Sequence, residues 1–133
     1  MKKFTPKEKK SFSIIERARS FTHAWRGLRI FFATTHNAWL QIVLALGVIV
    51  LGFLFQITSY EWMMLIFAIG LVMATEAMNT AFEIDIDLTS PEYHPYARNT
   101  KDVAAGAVLI ASLTALAIGA IIFIPHIIQL LIT

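Results

Sequence analysis

The chain has no cysteine, so a disulfide framework is excluded and the redox compartment is left open. Charge is scarce at 15% of 133 residues, and it is unevenly placed. No Lys or Arg occurs between Arg29 and Arg98, and none follows Lys101. Four prolines and six glycines leave long stretches without a helix breaker. The apolar residues do not alternate with polar ones, so the pattern of half-buried strands is missing as well.

What is present is apolar. A hydrophobic content of 57% and a mean hydropathy of +0.66 exceed those of an ordinary soluble domain. The runs approach 20 residues, enough to cross a hydrocarbon core of roughly 30 Å at about 1.5 Å per helical residue. The expectation is an all-α membrane protein, one domain over 1–133. A charged stretch precedes full-length apolar runs, which does not read as a cleavable signal peptide.

Residues 1–10 hold five lysines and read as a mobile basic tail. Residues 11–34 read as an amphipathic helix. Ile14, Ile15, Ala18, Phe21, Trp25, Leu28 and Phe32 recur at three- and four-residue spacing, and Glu16, Arg19, Arg26 and Arg29 interrupt them. Arginines on one face and aromatics on the other suit the membrane interface. Three transmembrane helices follow, over 38–58, 62–83 and 103–124. Ser59-Tyr60-Glu61 connects the first two. Pro91 and Pro95 break the polar segment 84–101, and Pro125 marks the end of the third span. That span opens with Ala104, Ala105, Gly106 and Ala107, small residues that let helices approach closely in a bilayer.

Nine of the eleven basic residues precede the first span, and Arg98 and Lys101 lie between the second and third. The positive-inside rule then places the N-terminus and the 84–101 segment in the cytoplasm. With three spans, the C-terminus falls outside. A multi-pass membrane protein with a cytoplasmic N-terminus is the expectation.

The chemistry gathers on the second span. Relative to Glu76, the residues Asn79, Glu83 and Asp87 lie at roughly −60°, −20° and +20° around a helix, an arc of about 80°. An ionised group inside a span costs several kcal/mol unless it faces protein, so Glu76 is a functional candidate. A structural hydrogen bond or an ion-coupling site would also account for Glu76 alone. Lys101 and Asp102 open the third span. A lysine can hold phosphate as a point charge, and the aspartate can bind a cation or orient the lysine. Together these residues supply the parts of phosphoryl transfer: carboxylates, a cation and a base. No Walker A motif, glycine-rich nucleotide loop, HRD or DFG element occurs, so a nucleotide would be held by an unrelated design.

The stretch ATEAMNTAFEIDID, followed by EYHPYARNTKDVAAGAVLI and preceded by AWRGLR at 24–29, resembles the prokaryotic diacylglycerol kinase and undecaprenol kinase family. The resemblance runs from about Arg17 to about Ile124. It implies a homotrimer with sites shared between subunits, and Mg²⁺, ATP and a membrane lipid alcohol as metal and substrates. It implies Glu76 as catalytic base and Glu83 as a metal-binding carboxylate. Asn79, Asp87, Lys101 and Asp102 are implied as nucleotide-binding or site-organising residues. The amphipathic helix is also placed to supply Arg17, Arg19 or Arg26 to phosphates, with attraction to anionic headgroups the alternative for most of them. One position departs: Thr35 stands where the family carries a metal-binding glutamate, and a neutral hydroxyl is a poor replacement on Mg²⁺. The wording around HPYAR and KDVAAGAV looks closer to the members that favour undecaprenol. No partner of nucleic-acid type is expected. Two other readings stand beside the lipid kinase. One is a catalytically weakened relative with a binding or assembly role; the other is a small proton-coupled transporter using Glu76.

Overall fold

The computed structural model describes residues 13–132. The expected basic tail at 1–10 lies outside them. The described residues form four helices: α1 (Ile14–Thr34), α2 (His36–Leu54), α3 (Ser59–Thr89) and α4 (Pro95–Ile132). Three of them, α2, α3 and α4, are long and apolar enough to cross a membrane.

Local chemistry sets each boundary. Ser13 caps α1, accepting from the Glu16 amide through its side chain. Thr35 is extended, at φ −102° and ψ 105°, and separates α1 from α2. Trp39 Nε1 closes this bend by donating to the Phe32 carbonyl at 2.9 Å. A capping box opens α3: the Thr58 side chain accepts from the Glu61 amide, and the Glu61 carboxylate accepts from the Thr58 amide. Such boxes satisfy two of the helix's orphan donors at once.

The ends of the elements differ from the sequence expectations in three places. Ser59-Tyr60-Glu61 is the first turn of α3, and the connection is Phe55–Thr58, because the capping box pulls those residues into the helix. The polar segment 84–101 is largely helical, with the break confined to Ser90–His94. Pro95 opens α4 there; a proline suits the first helical position, where its missing N–H is no loss. Pro125 does not end the third span. It lies inside α4, which continues to Ile132.

α3 and α4 pack along their length as an antiparallel pair, while α1 and α2 touch α3 more narrowly. The apolar core is small: Ile57, Leu65, Ile122 and Phe123, flanked by Val48, Phe55, Trp62, Ile69 and Ile118. It sits where α2 ends and α3 begins. The opposite end of the bundle, beside the α1–α2 bend, is held by polar contacts instead.

Candidate active site

The Thr35 bend brings the start of α2 against the C-terminal half of α3. Between them lies a cavity of about 290 Å³, lined by Thr34, Thr35, His36, Asn37, Glu76, Asn79, Thr80, Glu83, Ile84 and Asp87. The helical stripe read from the sequence is thus one wall of this cavity. The other wall is the bend itself.

Glu76 is the deep end of the wall, with 3% of its surface exposed. Gln41 of α2 donates from Nε2 to Glu76 Oε2 at 3.1 Å. Thr80, one turn further along α3, is also buried; its hydroxyl donates to the Glu76 carbonyl at 3.0 Å and meets the Thr35 hydroxyl at 2.8 Å. Thr80 has a single proton and gives it to the carbonyl, so Thr35 is the donor to Thr80. A lone pair of Thr35 is left towards the cavity, but its proton is committed.

Further out, Asn79 Nδ2 donates to Glu83 Oε1 at 3.2 Å. The carbonyl oxygen Oδ1 of Asn79 is buried and has no hydrogen-bond partner. Glu83 and Asp87 are exposed. Lys101 Nζ pairs with Asp87 Oδ1 across the 90–94 break, joining the end of α3 to the start of α4. The partner of Lys101 is therefore Asp87 rather than its neighbour Asp102. Asp102 faces Arg98 instead, at 3.8 Å and one turn away, with both side chains largely exposed.

Arg17, Lys101 and Asp102 do not line the cavity, and Lys101 is joined to it only through Asp87. Arg17 stands at the far end of α1, about 27 Å along the helix axis from Thr35. Four residues beside or behind the wall were not singled out from the sequence: Gln41, Thr80, Asn37 and Thr34. Gln41 had a usable signal, since it and Gln56 are the two strongly polar residues of the expected span 38–58. Thr80 lies roughly 40° from Glu76 on the same helix, about 20° beyond the Asp87 edge of the arc read from the sequence.

No group of three or more His, Cys, Asp or Glu side chains comes together among the described residues. The donor set nonetheless suits magnesium. Mg²⁺ takes oxygen ligands and is commonly held by one or two carboxylates together with substrate phosphates. Glu83 and Asn79 line the same cavity as Glu76, and the unpaired Asn79 Oδ1 is buried beside it.

The prokaryotic diacylglycerol kinase family profile matches residues 22–123. An undecaprenol kinase of Bacillus subtilis is 37% identical over 107 residues, 80% of this chain and 87% of that protein. A diacylglycerol kinase of Synechocystis is 35% identical over 114 residues, which is 85% of this chain and 65% of that protein. A diacylglycerol kinase of Escherichia coli is 29% identical over 104 residues, 78% of this chain and 85% of that protein. With its polar wall and three apolar spans, this chain belongs to the prokaryotic diacylglycerol kinase family, whose relatives here are named as lipid kinases.

Proposed function

We propose that this protein transfers the γ-phosphoryl group of ATP to the hydroxyl of a membrane lipid alcohol, diacylglycerol or undecaprenol, at the cytoplasmic face of the bacterial inner membrane. The observation that carries the reading is the continuous polar wall on α3, from buried Glu76 to exposed Asp87. It runs from the depth of a lipid hydroxyl to the water where a nucleotide arrives.

Glu76 is the general base. The acceptor hydroxyl gives its proton to the Glu76 carboxylate as its oxygen bonds to the γ-phosphorus. The bond from that phosphorus to the β,γ-bridging oxygen breaks, and ADP leaves with the electron pair. The proton then passes from Glu76 to solvent. A positioned base of this kind contributes roughly 10²–10⁴-fold in rate. Lys101 supplies positive charge for the phosphates, held by Asp87, and Asp102 organises the same helix start through Arg98. Arg17 fits this scheme as a contribution to a neighbouring copy's cavity in a homotrimer. Glu83 and Asn79 Oδ1 would hold Mg²⁺. When bound, the metal neutralises charge on the β- and γ-phosphates.

The orientation rests on the basic residues, which favour a cytoplasmic N-terminus and a cytoplasmic 84–101 segment. α1 then lies in the interface with Ile14, Phe21 and Trp25, all exposed in the single chain, towards lipid.

The test is transfer of label from γ-labelled ATP in lipid micelles, with diacylglycerol and undecaprenol assayed side by side. Labelled lipid phosphate is expected, with undecaprenol the better acceptor. No labelled lipid from either acceptor overturns the reading. One observation favours a second reading, a weakened relative kept for binding or assembly: Thr35 replaces a carboxylate, and its hydroxyl proton is spent on Thr80. That reading predicts ATP binding without turnover.

A further inference from the structure

Gln41 stands in α2 less than two turns past the bend, and one half of its amide is engaged. Nε2 donates to Glu76 Oε2 at 3.1 Å. The other half, Oε1, is buried and has no hydrogen-bond partner. A buried acceptor left unpaired is costly, so natural proteins seldom keep one without a use. Gln41 also has an unusual place. It lines an apolar groove of about 440 Å³ between α2, α3 and α4, whereas Glu76 lines the polar cavity. The Gln41–Glu76 hydrogen bond therefore crosses the partition between the apolar and the polar space.

We propose that Gln41 is a positioning residue for the base, holding the Glu76 side chain in both of its protonation states; the proposal rests on the lipid-kinase reading. An ionised carboxylate only accepts hydrogen bonds, and the amide N–H meets it. A carboxylic acid carries an O–H that must be accepted. During turnover Glu76 takes the proton of the acceptor hydroxyl and changes from the first form to the second. The unpaired Oε1 of Gln41 is the acceptor that the new O–H needs, and a half-turn of the amide about its terminal bond presents it. One side chain thus keeps the carboxyl group aimed across the partition before and after proton transfer. An apolar side chain of the same size satisfies neither state, and a permanent carboxylate satisfies only the second.

The experiment uses the full chain in lipid micelles and compares wild type with Gln41→Met and Gln41→His. A neutral imidazole keeps one donor and one acceptor. Gln41→Met is expected to lower kcat at least ten-fold while KM for ATP stays within two-fold, and Gln41→His is expected to recover a substantial part of the rate. In infrared difference spectra taken against Glu76→Gln without nucleotide, the Glu76 carboxyl band is expected to shift in Gln41→Met. Full kcat in Gln41→Met overturns the proposal, and so does a fall in kcat matched by an equal rise in KM for ATP. An unshifted band overturns it as well. If Gln41→Met does not assemble, Gln41→Glu takes its place with the same expected fall. The infrared arm separates the two claims: a wild type without kinase activity defeats the lipid-kinase reading, while the band still decides whether Gln41 holds Glu76.

Discussion

Thr35 ends one helix, precedes the next and ties both to α3 through Thr80. Its identity was readable in the sequence as a missing carboxylate. Its hydrogen bond was not, because Thr80 is 45 positions away and nothing local pairs the two. Replacing it with glutamate puts a carboxylate on the cavity wall and removes a link worth about 0.5–1.5 kcal/mol. Thr35→Glu is expected to lower the Mg²⁺ concentration that gives half-maximal rate several-fold, with a slightly lower melting temperature. A rate at limiting Mg²⁺ that is unchanged or lower would show that the metal is held by other groups. Lys101 is the second case. Sequence reasoning set it beside Asp102, its neighbour, whereas the helix geometry gives it to Asp87. The pair is substantially exposed, so it adds at most about 1 kcal/mol to stability. Lys101→Met should therefore leave the melting temperature nearly unchanged and raise KM for ATP at least ten-fold, measured in steady-state assays over a range of ATP. A large loss of stability with normal KM would assign the lysine to the fold instead.

The existence and number of the helices were legible from apolar runs and from three- and four-residue spacing. Their ends were less so. Proline was read as a stop at both Pro95 and Pro125. At Pro95 the ring favours a helix start, and at Pro125 neighbouring contacts hold the helix together past the break. Phe55 packs against Phe123 and the His126 ring, with centroids at 6.2 and 5.8 Å, and His126 Nδ1 lies 2.8 Å from the Ile122 carbonyl. Tertiary contact thus overrides the local signal. The same region explains a glycine. At Gly52 an added Cβ would lie 2.8 Å from Trp62 Cη2 and 3.1 Å from Ile57 Cδ1. Overpacking of this kind typically costs about 1–3 kcal/mol. Gly52→Ala is expected to lower the melting temperature in detergent by several degrees, with little change in KM for ATP, since the cavity lies at the other end of the bundle. A variant as stable as wild type would mean that Trp62 moves aside freely.

Across the whole molecule, few apolar side chains are buried among the described residues, while long rows such as Leu109, Leu113, Leu116 and Ile121 remain exposed. Lipid covers some of this surface, and a homotrimer would cover more. Native mass spectrometry of the protein released from detergent is expected to give three copies, and a monomer that retains full activity would contradict shared sites. The sequence carried the α3 wall of the cavity because Glu76, Asn79, Glu83 and Asp87 lie on one helix at regular spacing. It did not carry the second wall, which depends on how far the bend at Thr35 folds α2 onto α3. What unites the scales is the buried Glu76 carboxylate, which we propose stands where lipid and nucleotide meet. The most direct measurement is therefore the rate of phosphate transfer from ATP to lipid in Glu76→Gln, with ATP binding and assembly measured alongside. Loss of at least 10²-fold in kcat with ATP binding intact is the predicted result, in line with the size of general-base effects. Turnover at the wild-type rate in that variant would contradict the account.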